Sequence, residues 1–198
     1  MKDVYAGKVF VEPRRQLQLS VVLSVALAIQ AERSPPSVRT KRPEKKADLE
    51  PRQAALFAYG RSLLGKDESL RFAMIAEQDD SADVVIRTQT KAGSFVYERI
   101  QLKEVVPIEV NDRQTIVSLL AAIKKRYCCG EELSIAIHLN REVITRLGSI
   151  PDPALRGVSF WLFGLCRENR GFLVQNPFLD FEVFEFDLPR MPSSLTGL

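Results

Sequence analysis

The order of hydrophobic patterns predicts an α/β fold: a mixed central sheet with flanking helices and a β-rich C-terminal extension. Three observations predict it. A helical stretch is followed by three extended runs separated by short polar breaks, which reads as an antiparallel meander. A second helical pattern then leads to Leu133 to Leu139 (LSIAIHL), a short apolar run of the type that forms a strand buried on both faces. Three more extended runs close the chain.

The first segment, Gln16 to Ile29, alternates like a strand but also carries a helical stripe at Leu19, Val22, Leu23, Ala26 and Leu27, and its length favours a helix. It is too short to span a bilayer. Arg14 and Arg15 before it and Ala31 after it give it a superficial likeness to a leader, against which Asp3 and Glu12 speak. Arg33 to Lys46 (RSPPSVRTKRPEKK) holds three prolines, six Lys/Arg and one acid, and reads as an exposed basic linker.

Pro51 to Leu64 reads as the next helix, with Asp48 or Glu50 near its start, Pro51 in its first turn and Gly65 as its stop. Leu70 to Ile75, Asp83 to Arg87 and Phe95 to Val106 form the meander, broken at Glu77 to Ser81 and turned at Thr90 to Ser94. Asp112 to Tyr127 reads as a crossover helix, capped by Asn111 or Asp112, with Lys124, Lys125 and Arg126 against the negative end of its dipole. Val158 to Leu165, Gly171 to Gln175 and Phe181 to Leu188 supply the closing strands. The expected organisation is an N-terminal element with basic linker over 1–49, an α/β core over 50–140, and a β-rich extension over 141–198 packed on that core.

A composition with 45% hydrophobic and 27% charged residues excludes a wholly disordered tail. The net charge of +3 neither demands nor forbids nucleic acid, but residues 1–52 hold eleven basic and six acidic side chains, so the N-terminal quarter alone carries +5. Three cysteines, two of them adjacent at Cys128 and Cys129, build no disulfide framework, and with Cys166 and His138 they match no zinc spacing. This usage reads as a reducing, cytoplasmic setting. A single histidine weakens imidazole-based nucleophilic catalysis, and His138 in its apolar run reads as packed or capping.

The chemistry-bearing pattern lies in the meander. Along Phe95 to Val106 side chains alternate, so Gln101 and Lys103 share a face while Ile100, Leu102 and Glu104 share the other. Polar groups at that spacing between apolar neighbours need a partner. Asp83, at the mouth of the preceding run, is the natural one. A carboxylate, a carboxamide oxygen and an ammonium at one end of a sheet face suit a magnesium-dependent phosphodiesterase, in which oxygen donors hold the cation and the ammonium assists water.

This order, with Asp83 opening the second strand and Gln101-Leu102-Lys103 on the third, resembles the PD-(D/E)XK nuclease superfamily over about residues 50 to 140. Ala82 stands where that family has proline, and Gln101 where it has an acid, a replacement that occurs in members restricting modified DNA. The resemblance implies a restriction-endonuclease-like core and a metal-dependent nuclease hydrolysing DNA. Asp83, Gln101 and Lys103 are its catalytic group; Asp83, Gln101 and Glu50 are the ligands of Mg²⁺ or Mn²⁺, with Glu77, Asp79 or Asp80 as substitutes for Glu50. Arg39, Lys41, Arg42, Lys124 and Lys125 are the expected phosphate contacts. The expected partner is nucleic acid, DNA foremost, without a membrane, and a homodimer is allowed. Two alternatives stand beside this reading: a nuclease-fold binding or assembly module without catalysis, and an unrelated α+β interaction protein in which Asp83 caps a turn and Gln101 and Lys103 face solvent. Trp161, Phe160 and Phe163 read as core before they read as a stacking platform, and Glu182, Glu185 and Asp187 as a solvated strand face.

Overall fold

The computed structural model describes residues 5, 7–20, 46–75, 82–127, 132–140, 152–167, 169–178 and 182–190. Residues 13–20 are helical, and Val11 bridges Phe72. The remaining elements are helix α1 (Lys46–Leu64), strands β1 (Arg71–Met74), β2 (Val84–Gln89) and β3 (Phe95–Val105), helix α2 (Ile116–Arg126), and strands β4 (Leu133–Leu139), β5 (Val158–Arg167), β6 (Arg170–Gln175) and β7 (Val183–Asp187). All seven strands form one sheet in the order of the chain.

Strands β1, β2 and β3 pair antiparallel, β3, β4 and β5 parallel, and β5, β6 and β7 antiparallel again. The fold is thus mixed α/β, with a parallel centre between two meanders. The C-terminal strands extend the sheet itself. The β2–β3 turn closes through hydrogen bonds from Thr90 N–H to Ser94 and from Gly93 N–H to Thr90, with Gly93 at a φ of 82° that favours glycine.

Two details differ from the sequence expectation. Helix α1 begins at Lys46, so Pro51 lies inside it, beyond the first turn that would have tolerated its missing N–H. Helix α2 begins at Ile116, four residues after the expected start, and is capped by Thr115: Ser118 N–H donates to the Thr115 hydroxyl, and the Ser118 hydroxyl accepts from Thr115 N–H. Asn111 instead accepts from Arg113 N–H in the preceding turn.

The sheet separates two cores. On one face Val84, Ile86, Ile100, Leu102, Ala136, Trp161, Phe163, Leu173 and Phe186 meet Ala54, Ala55, Phe57 and Ala58 of α1. Small alanines let this helix approach so closely that its residues from Gln53 to Ala58 are buried without interruption. On the other face Val105, Ile135, Ile137, Phe160, Leu162 and Val174 meet Ile116, Leu120 and Ile123 of α2. Trp161, Phe160 and Phe163 are all core residues. No helix among the described residues is long and apolar enough to cross a membrane.

Candidate functional site

In the β2–β3 register Val84 pairs with Ile100, and Asp83 N–H continues the ladder by donating to the Ile100 carbonyl. Asp83 therefore stands opposite Gln101 on the α2-facing side of the sheet. Its carboxylate accepts from the Gln101 side-chain amide and, at 2.8 Å, from the Leu102 backbone N–H. Gln101 is buried, at 5% exposure, and the carboxylate is what makes that burial tolerable.

Lys103 follows on the same face, beside Ile137 of β4, with its ammonium 5.9 Å from the centre of the Tyr127 ring. The hairpin thus brings Asp83 and Gln101 into contact and leaves Lys103 one alternation further along β3.

Glu50 rides on α1, the helix that packs against the opposite face of the sheet. Lys124 and Lys125 are exposed in the last turn of α2, where they complement the helix dipole. Arg39, Lys41, Arg42, Glu77, Asp79 and Asp80 lie outside the described residues. Among the described residues no group of three or more His, Cys, Asp or Glu side chains is placed to hold a metal ion. The donors at Asp83 and Gln101 are one carboxylate and one carboxamide, a set that suits magnesium because this ion keeps several waters and needs only one or two carboxylates.

Two clusters on the α1 side escaped the sequence reading. Arg61 of α1 forks onto Glu98 at 3.2 and 3.0 Å, the Ser134 hydroxyl donates to Glu98 at 2.6 Å, and the guanidinium lies 4.2 Å from the Trp161 ring centre. Further along β3, Glu104 accepts from the Asn140 amide at 2.7 Å and faces His138 Nδ1 at 3.7 Å. His138 beside it does most to hold the Glu104 carboxyl below the usual range; burial works the other way, and the Asn140 and Gln53 amides add to the lowering. At 3.7 Å the His138 contact is long for a hydrogen bond, whereas that of Asn140 is short. His138 also packs its ring 5.0 Å from that of Phe163, in keeping with a packed histidine.

The available signal was strand alternation. It puts Glu98 and Glu104 on the same face as Ile100 and Leu102, where an acid needs a partner.

No family model, curated protein or solved structure matches the chain.

Proposed function

We propose that the chain is a metal-dependent nuclease hydrolysing DNA phosphodiester bonds, on a core resembling the PD-(D/E)XK superfamily. The observation that carries the reading is Asp83 standing opposite Gln101 with Lys103 on the same sheet face. The element order supports it: a helix, an antiparallel meander, a crossover helix and a strand parallel to the third.

Asp83 and the Gln101 carboxamide oxygen would hold Mg²⁺ or Mn²⁺, which when bound supplies Lewis acidity and a more acidic water. Gln101 now turns its NH₂ toward Asp83, so holding a cation requires rotation about its last side-chain torsion, which is broad and roughly two-fold. The Lys103 ammonium offsets charge on the scissile phosphate and orients the attacking water. DNA as partner and a reducing, cytoplasmic setting belong to the same reading.

A second reading is favoured by one observation: Asp83 is already occupied by the Gln101 amide and the Leu102 N–H, as in a purely structural polar pair. That is the binding module without catalysis. Nicking of supercoiled plasmid with Mg²⁺ or Mn²⁺ separates the two. The nuclease nicks, and EDTA stops it. Absence of nicking by wild type and by Gln101→Glu, with no measurable Mn²⁺ binding, leaves the binding module.

A further inference from the structure

We propose that the β1–β3 part of the sheet face carrying Asp83 is a track for single-stranded nucleic acid. Arg71 and Arg87 take phosphates, and Phe95 takes a base. The register sets these residues together: Arg71 pairs with Arg87, Val85 with Arg99, Arg87 with Tyr97 and Gln89 with Phe95. By alternation all of them share the face of Asp83, Gln101 and Lys103. That face of the three strands carries four cationic side chains, Arg71, Arg87, Arg99 and Lys103, against the single acid Asp83.

Like charges directly opposite across an antiparallel pair destabilise it, and Arg71 and Arg87 are such a pair. Among the described residues neither is ion-paired with a carboxylate. Arg71 donates to the Glu68 and Leu70 carbonyls at 2.8 and 2.9 Å, and Arg87 lies between the Phe10 and Phe95 rings, 4.3 and 4.6 Å from their centres. An arrangement that costs folding energy by itself is offset by a bound polyanion.

The aromatic component selects the form of that polyanion. Phe95 remains 48% exposed beside the guanidinium, and a base laid on it extends the Phe10–Arg87–Phe95 stack. Only unpaired bases offer their flat faces, so a duplex gains the phosphate contacts but not the stacking. The track deepens the nuclease reading and rests on it in one respect, that the strand is led toward Asp83; binding itself needs no metal.

The test is fluorescence anisotropy of the full chain with labelled oligothymidylate and oligouridylate in EDTA, beside a duplex and an acidic polypeptide. Tighter binding of either single strand than of the duplex is expected. Arg71→Glu should weaken it at least tenfold and flatten the salt dependence, while thermal stability holds or rises because opposite charges now face each other. Phe95→Ser should remove the preference over duplex. Should Arg71→Glu fail to fold, Arg71→Gln carries the same test.

Affinity unchanged in these variants, binding no tighter than to duplex, or a preference for the acidic polypeptide overturns the track. Mg²⁺-dependent cleavage that survives these substitutions refutes the track alone. Metal-free binding that depends on them, without any cleavage, refutes the nuclease reading alone.

Discussion

Arg61 reaches Glu98 across 37 residues of sequence and grips it with both terminal nitrogens, fastening α1 to the centre of the sheet. The same carboxylate takes the Ser134 hydroxyl from β4, and the same guanidinium lies on Trp161 from β5. One ion pair therefore ties a helix to three strands. It is partly exposed, so its net worth lies between that of a surface pair and a buried one. Arg61→Ala should destabilise the fold by about 2 kcal/mol in urea denaturation. Arg61→Lys keeps the charge but loses the fork, and should cost on the order of 1 kcal/mol.

Phe186 occupies a slot made by two glycines. A Cβ on Gly60 of α1 would lie 2.8 Å from its ring, and one on Gly171 of β6 would lie 2.5 Å away. Gly171→Ala should cost about 1–3 kcal/mol by overpacking. Combining it with Phe186→Leu should recover part of that loss, and the double-mutant cycle measures how much. Additive losses would mean that the ring is not what excludes the methyl group.

The lowered Glu104 carboxyl has a pH consequence. A group whose pKa is depressed by folding stabilises the native state above its unfolded pKa, about 4.3 for glutamate, and loses that contribution as pH falls through the folded value. Glu104→Gln removes the titration. Its stability should therefore fall less steeply than that of wild type below about pH 4. Parallel acid limbs in the two unfolding series would show that Glu104 titrates alike in the folded and unfolded chains.

Gln101→Glu places a second carboxylate opposite Asp83 in a buried position, where two negative charges cannot both be comfortable. Without divalent cation the variant should lose on the order of 2 kcal/mol. Mn²⁺ should restore most of it, as followed by thermal shift, because a cation between the two carboxylates removes their repulsion. A variant that Mn²⁺ leaves equally unstable would speak for a purely structural Asp83–Gln101 pair.

What could be read from the sequence follows from which forces are local. Leu133–Leu139 was legible to the residue because a strand buried on both faces is a short, mostly apolar run. The opposition of Asp83 and Gln101 was legible because a short hairpin fixes register. The start of α1 was not, since Pro51 reads as a first-turn residue yet is carried within a helix held by its packed alanines. Nor was the Arg61–Glu98 fork, whose partners meet only through tertiary packing. Arg71 and Arg87 were visible as residues, but setting them opposite each other needed the β1–β2 register, and the break between Ile75 and Asp83 left that register open.

The central claim rests on two residues with different duties, and cleavage measured beside metal-free DNA binding tests it most directly. Lys103→Ala should abolish Mg²⁺-dependent nicking while leaving oligonucleotide affinity and Mn²⁺ binding close to wild type. Asp83→Asn should abolish nicking and weaken Mn²⁺ binding as well. Wild-type nicking that survives both substitutions would contradict the account.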